Sequence, residues 1–175
     1  MTNVFVLPGL GNSGDQHWQT LWQSLHPEWL RIMQDDWDTP NCADWVRRID
    51  VTLGSVPEGT AVLVAHSSSC AAVAHLAETT VHRIKGALLV APSDPLSSAY
   101  PPGPKGFAPV PLARLPFPSI VVASENDEYV SLPQAQKYAE AWGSCFVNIG
   151  ARGHINSASN LAEWHEGLAL LETLL

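Results

Sequence analysis

Basic residues are scarce in this sequence. Nine Lys and Arg stand against seventeen Asp and Glu, which gives a formal net charge of −8 with His neutral. A protein that binds nucleic acid needs a basic surface to neutralise phosphate groups. We therefore expect no nucleic-acid partner.

Cysteine and long apolar runs are also scarce. The three cysteines, Cys42, Cys70 and Cys145, are far apart and form no C-x-x-C pair, so neither a disulfide framework nor a metal site is predicted. No 18 uncharged apolar residues run together, and the first eight residues carry no positive charge ahead of an apolar run. We expect a cytoplasmic protein with no cofactor and no membrane contact, and the oligomeric state stays open.

Short apolar segments alternate with amphipathic segments along the chain, which is typical of parallel strands covered by helices. The predicted strands are 3–7, 30–34, 60–65, 84–91, 119–123 and 145–149, and the predicted helices are 15–25, 43–53, 68–78, 133–142 and 160–174. Several strands are too uniformly apolar to have a wet face. The sequence predicts one α/β domain over residues 1–175, a three-layer sandwich of the α/β-hydrolase kind. We expect a mostly parallel sheet of five or six strands and no separate cap domain.

Proline is concentrated in one segment, because residues 92–118 hold nine of the fourteen prolines. Proline fixes the φ angle and lacks an amide donor, so this segment is predicted to be a long, stiff surface connection. We expect Leu96, Tyr100, Phe107 and Leu112 from this segment to form an apolar pocket wall.

Three serines in a row follow the apolar segment VLVAH. A sharp turn from a strand into a helix that lifts a serine above a sheet is a nucleophile elbow. Such a turn needs small residues two positions before and after the nucleophile. With Ser67 as the nucleophile these are Ala65 and Ser69, whereas Ser68 would place two bulkier residues there. Ser69 as the nucleophile is sterically possible but would begin the turn late. Ser67 is therefore the predicted nucleophile, and the alternative is a simple helix cap.

A nucleophilic serine needs a base and an acid that orients the base. In strand-turn-helix hydrolases the chain order is Ser, acid, His. Asp127 follows the fifth predicted strand and His154 follows the sixth. Because the carboxyl ends of parallel strands share one sheet edge, these side chains can meet Ser67 there. Glu125 and Glu128 are rival carboxylates.

The glycine-rich stretch PGLGNSG follows the first predicted strand and lets the backbone approach a ligand closely. We predict that the backbone N–H groups of Leu10 and Ser68 stabilise an oxyanion. Gly9, Gly11 and His17 are candidate substrate-binding residues. For His17 the alternative is a cap on the helix that follows.

One acidic cluster, Asp35, Asp36 and Asp38, invites a metal site with oxygen ligands. A solvated, turn-forming loop is the favoured interpretation, because no other residue of ligand type lies nearby in sequence.

Four segments, LPGLGNSGDQHWQTLW, AHSSS, ASENDEYV and GHIN, together resemble the retinoblastoma-binding serine hydrolase family, in particular its bacterial members. The resemblance covers essentially the whole chain and implies an α/β-hydrolase fold with carboxylesterase-type or related acyl hydrolysis. It assigns the nucleophile, acid and base to Ser67, Asp127 and His154. The chain departs from the family at Ala65 and Ser69, where glycines are more usual.

These patterns predict a serine hydrolase that cleaves small neutral carboxylic esters, and amides as a second option, through an acyl-enzyme. The expected partner is a small-molecule ester. Two alternatives use the same fold: a non-catalytic binding protein and an acyltransferase with the same triad.

Overall fold

One sheet organises the chain in the computed structural model, which describes residues 2–175. The strands are β1 Asn3–Leu7, β2 Leu30–Arg31, β3 Ala61–His66, β4 Ile84–Val90, β5 Ser119–Ala123 and β6 Cys145–Asn148. They lie in the order β2-β1-β3-β4-β5-β6, and each neighbouring pair is parallel. The predicted parallel sheet of five or six strands is therefore confirmed.

Helices cover the sheet and are short. They are α1 Trp18–Leu25, α2 Cys42–Leu53, α3 Ser68–Ala74, α4 Glu78–Val81, α5 Leu132–Trp142 and α6 His165–Glu172. Asn41 caps α2 by accepting a hydrogen bond from the Ala43 amide at 3.0 Å, as its sequence position predicts. Within residues 2–175, no helix combines the length and the apolar character that crossing a bilayer requires.

Apolar residues on successive strand positions pack on opposite faces of the sheet, which produces three layers. On one face Val62 and Val64 of β3 pack with the tryptophans of α1 and with Leu171 of α6. On the other face Leu63 and Ala65 pack with α2, α3 and α5. β3 is fully buried, as its uniformly apolar sequence predicts.

Several element boundaries differ from the prediction. The second strand has two residues instead of five, and it pairs only with β1. The elbow helix ends at Ala74, and α4 forms separately. The last helix begins at His165 instead of residue 160, because Asn160, Ala162 and Trp164 have φ angles of 50°, 49° and 38° that no α-helix accommodates.

The proline-rich segment 92–118 packs against the domain. Lys105 pairs with the strand-like residues before α2: its amide donates to Pro40 O at 2.8 Å, and its carbonyl accepts from the Cys42 amide at 2.8 Å. Phe107 is fully buried in the core. The segment is therefore anchored at its middle, and its stiffness stays a prediction.

Candidate active site

Three side chains from three loops meet at the carboxyl edge of the sheet. Ser67 follows β3, Asp127 follows β5 and His154 follows β6. His154 Nε2 lies 2.8 Å from Ser67 Oγ, and His154 Nδ1 lies 2.8 and 2.9 Å from the two carboxylate oxygens of Asp127. The structure therefore brings together all three residues of the predicted triad in one hydrogen-bonded chain.

The backbone at Ser67 has the shape of a nucleophile elbow. Its φ and ψ angles are 58° and −126°, in a region that costs a non-glycine residue about 1–3 kcal/mol. The strain is held from both sides, because the Ser67 amide donates to Val90 O at 2.9 Å and α3 begins at the next residue. Gly9 allows this turn, since a Cβ at that position would lie 2.7 Å from Ser67 Cβ.

Asp127 is the carboxylate that reaches the histidine. Its side chain has no exposed surface, and Oδ1 also accepts the Tyr129 amide at 2.9 Å. Both rival carboxylates are exposed, and Glu125 instead accepts a hydrogen bond from Asn148. The structure thus selects Asp127 among the three acidic residues of this loop.

The backbone around His154 is held by side chains from distant parts of the chain. His66 Nε2 lies 3.0 Å from the His154 carbonyl oxygen and donates to it, and Trp18 Nε1–H donates to the Ile155 carbonyl at 2.8 Å. Burial holds the pKa of His66 well below its usual value, so this histidine is neutral and keeps one N–H for the bond. These two bonds fix the loop that carries the candidate base.

The loop that follows β1 carries the predicted oxyanion donors. Leu10 lines the cleft beside Ser67, and Ser68 is the first residue of α3. Within residues 2–175 neither amide donates to a backbone carbonyl, so both N–H groups are available. The loop is braced from behind by Arg31, whose guanidinium donates to Asn12 Oδ1 and to Ser13 O at 3.0 Å each.

Gly9 and Gly11 shape this loop and are not among the residues that line the cleft, so their expected role as substrate-binding residues stays a prediction. Gly9 gives room to the elbow, as described above. Gly11 has a φ angle of 73° and donates its amide to Trp37 O at 2.8 Å. Their contribution is therefore conformational.

The ring of His17 lines the cleft and also caps α1, and its role in substrate binding stays a prediction. Its Nδ1 accepts the Gln19 amide at 3.2 Å, so the single ring proton lies on Nε2, which has no hydrogen-bond partner within residues 2–175. Burial, followed by the charges of Arg31 and His154, lowers the pKa of His17 to about 3. The ring is therefore neutral at physiological pH.

A cleft of about 380 Å³ opens over Ser67. Most of its lining residues carry a polar group, but none is Asp, Glu, Lys or Arg; the residues are Leu10, Asn12, His17, His66, Ser67, Ser93, Tyr100, Pro101, Tyr129, His154, Asn156, Ser157 and Ala158. The expected apolar wall is wrong except for Tyr100. Leu96 and Leu112 are 79% and 47% exposed, and Phe107 is buried in the core.

Sequence reasoning missed several cleft residues, above all Ser93. Its hydroxyl oxygen lies 2.7 Å from Ser67 Oγ, and a second pair joins Ser68 Oγ to Tyr100 OH at 2.8 Å. The signal for Ser93 was positional: it comes three residues after β4, and His66 of β3 lies in register with Val90 of β4. A polar residue just beyond that strand had to lie near the elbow.

Two carboxylates of the acidic cluster 35–38 bind other groups of the protein. Asp36 accepts the amides of Asp38 and Thr39 at 2.9 Å each, and Asp35 pairs with Arg48. Among residues 2–175, no group of three or more His, Cys, Asp or Glu side chains is arranged to hold a metal ion. The loop is a turn closed by its own carboxylate.

Known proteins share this architecture over the whole chain. A protein described as a YdeN-like hydrolase from Pectobacterium atrosepticum is 31% identical, with a TM-score of 0.85 and coverage of 100% of this chain and 93% of its own. The ydeN gene product of B. subtilis is 18% identical, with a TM-score of 0.77 and coverage of 99% and 98%. A thermophilic esterase from Thermogutta terrifontis is 16% identical, with a TM-score of 0.68 and coverage of 99% and 89%. The fold is that of the α/β-hydrolases.

No curated protein matches the chain. The family model described as serine hydrolase, however, matches residues 4–173, which is nearly the entire sequence. The chain therefore belongs to the serine hydrolase family.

Proposed function

We propose that this serine hydrolase is an esterase that uses Ser67 as nucleophile, His154 as base and then acid, and Asp127 to orient the histidine. The observation that carries the proposal is the 2.8 Å contact between Ser67 Oγ and His154 Nε2, with Asp127 on the opposite ring nitrogen. A carboxylate can only accept, so Nδ1 carries the proton and Nε2 is free to take one from the serine.

In the proposed reaction Ser67 Oγ attacks the ester carbonyl while its proton passes to His154 Nε2. The negative charge moves to the carbonyl oxygen, where the amides of Leu10 and Ser68 donate to it. Collapse of this intermediate releases the alcohol with the proton from His154 and leaves Ser67 acylated. Water, deprotonated by the same histidine, then attacks the acyl carbon. The bond to Ser67 Oγ breaks, His154 returns the proton to the serine, and the acid is released.

Labelling with a fluorophosphonate probe tests the nucleophile. We expect strong labelling of the native protein and none of Ser67→Ala, while Ser68→Ala, which removes a neighbouring hydroxyl but keeps the backbone amide, stays labelled. In ester hydrolysis Ser67→Ala, His154→Ala and the double variant should lose similar activity, because the residues act as a unit. An unlabelled native protein would instead favour a binding protein with this fold.

We propose a short, uncharged acyl ester as the substrate class. A cleft of about 380 Å³ lies at the small end of the usual range for ligand sites, and no charged side chain lines it. Its hydroxyl, amide and imidazole groups suit a substrate that carries neutral hydrogen-bonding groups. A carboxylate or phosphate on the substrate would find no Arg or Lys in the wall.

A series of p-nitrophenyl esters tests this size limit. We expect kcat/KM to fall at least tenfold from butyrate to palmitate, since a cleft of about 380 Å³ has no room for a long chain (about 1.4 kcal/mol per factor of ten). Tyr100→Ala should flatten the fall because it opens the cleft, whereas Leu96→Ala, on the exposed part of the same segment, should not. Palmitate as the best substrate would exclude this substrate class.

We also propose that the chain belongs to the retinoblastoma-binding branch of serine hydrolases and acts in the cytoplasm. The branch is supported by the four sequence segments that resemble it. The location is supported by three cysteines that remain free thiols within residues 2–175.

A further inference from the structure

We infer that Ser93 is a second catalytic hydroxyl, which donates a hydrogen bond to Ser67 Oγ and stabilises the negative charge that develops there during attack. The inference rests on the proposed role of Ser67 as the nucleophile. It adds a residue that contacts the reacting oxygen to the three members of the triad.

The position of Ser93 is well defined. Its hydroxyl oxygen lies 2.7 Å from Ser67 Oγ, and the residue lines the cleft although only 4% of its surface is exposed. The backbone on both sides is fixed, because Ala91 donates its amide to Val122 O at 2.8 Å and Asp94 donates its amide to Tyr129 O at 2.9 Å. Ser93 is thus held against the nucleophile by the loop that leaves β4.

The direction of the bond follows from the neighbouring groups. Asp127 accepts from His154 Nδ1–H, which leaves Nε2 as an acceptor. The single proton of Ser67 must therefore point to Nε2, since that is the only arrangement from which the base can remove it. Ser67 Oγ has only lone pairs left for its other contact, so Ser93 is the donor.

This donor acts where the charge changes. As the proton of Ser67 passes to His154 and the bond from Oγ to the carbonyl carbon forms, electron density rises on Oγ before the bond is complete. The Ser93 O–H faces that density and keeps its own proton throughout. Once Oγ is an ester oxygen it accepts only weakly, so the contribution is greatest on the way into the acyl-enzyme.

The chain offers a matched control. Ser119 is also buried and forms a pair with Ser144, with 2.6 Å between the hydroxyl oxygens. Neither residue lines the cleft. Ser119→Ala therefore removes the same kind of hydroxyl pair from the same domain without touching the nucleophile.

The experiment compares Ser93→Ala, Ser93→Cys and Ser119→Ala by the rate constant of fluorophosphonate labelling, by kcat and KM for p-nitrophenyl acetate, and by thermal unfolding. A lost hydrogen bond to a charged atom corresponds to about a 10- to 100-fold loss of rate. We expect this loss in kcat/KM and in labelling for both Ser93 variants, because both quantities report the attack that forms the covalent enzyme. Cysteine is of similar size but donates weakly, so it should not restore the rate.

The control separates chemistry from folding. Ser119→Ala should label at the native rate, whatever its unfolding temperature. The inference is wrong if either Ser93 variant labels within threefold of the native protein, or if Ser119→Ala loses as much. If the native protein is not labelled at all, the proposed nucleophile fails first, and the role of Ser93 fails with it.

Discussion

The two faces of the sheet hold the two reacting residues in different ways. On the face covered by α2, α3 and α5, the elbow of Ser67 is supported by close packing of small residues. On the face covered by α1 and α6, the loop of His154 is supported by aromatic side chains that donate hydrogen bonds to its carbonyls. The backbone at Ser67 is thus fixed mainly by steric packing, and the backbone at His154 mainly by hydrogen bonds.

Small residues are required beneath the elbow because the strand and the helix approach each other closely. Cys70, Ala71 and Ala72 of α3 are almost fully buried, and burial raises the pKa of the Cys70 thiol and keeps it protonated. Ser69 donates its hydroxyl to Pro8 O at 2.5 Å, which ties α3 to the loop after β1. A larger residue at these buried positions would overpack the layer beneath the elbow.

The face covered by α1 and α6, the aromatic face, is filled by large rings that also carry N–H donors. Trp18, Trp22 and Trp164 form a cluster of stacked and edge-on rings under β1 and β3. Their bulk fills the layer, while two indole N–H groups reach the carbonyls of the chain segment that contains His154 and α6. Burial and hydrogen bonding are thus combined in the same side chains.

The largest effect is expected at Gly9, where the backbone packs most tightly against the elbow. In Gly9→Ala the added methyl group would lie 2.7 Å from Ser67 Cβ and 3.1 Å from His66 O, so the elbow must shift. We expect a loss of about 1–3 kcal/mol in the free energy of unfolding and about 100-fold in fluorophosphonate labelling. Gly14→Ala is the control, since no atom lies within 4 Å of its added methyl group. Equal labelling of both variants would mean that steric packing at Gly9 does not hold Ser67 in place.

A smaller effect is expected on the aromatic face. Trp18→Phe keeps an aromatic ring but removes the N–H that binds Ile155 O, so we expect a loss of about tenfold in kcat as the His154 loop loosens. Trp22→Phe removes the equivalent bond to Glu163 O at 2.5 Å, which lies farther along the chain. It should lose similar stability by urea unfolding but keep its kcat. A similar loss of kcat in both variants would mean that the cluster acts only through stability.

Sequence reasoning succeeded where a local pattern determines the structure. The apolar runs of β3, β4 and β5 have few alternatives to a buried parallel strand. The order of the loops after them was enough to bring Ser67, Asp127 and His154 to one edge. Asn41 is a residue type that commonly caps helices, and it lies directly before α2.

Sequence reasoning failed where contacts between distant segments determine the structure. The segment 92–118 gave no indication that Phe107 would enter the core while Leu96 stayed outside, because proline content reports stiffness and not direction. Ser93 belongs to no motif and matters only because β3 and β4 are neighbours. The backbone bonds from Trp18 and His66 join residues 137 and 88 positions apart, a relation that no local pattern contains.

The last prediction concerns how acid acts on the aromatic face, where the effect is on stability and not on catalysis. Burial lowers the pKa of His17 to about 3, against an ordinary value of 6.5. Between these two pH values the unfolded chain binds a proton that the folded chain does not. The free energy of unfolding must therefore decrease as the pH falls below 6.5. The buried His66 acts in the same direction. Among residues 2–175, the face covered by α2, α3 and α5 has no buried histidine that could contribute.

Urea unfolding followed by tryptophan fluorescence at pH 7.5, 6.0 and 5.0 measures this slope. Each fully neutral buried histidine contributes up to about 1.4 kcal/mol per pH unit below its unfolded pKa. His17→Asn keeps an acceptor for the Gln19 amide but cannot titrate, so it should remove one such share of the slope, even if it lowers stability at every pH. His82→Asn makes the same chemical change at an exposed position outside the core and serves as the control. If His17→Asn kept the native slope, the acid sensitivity would arise elsewhere in the fold.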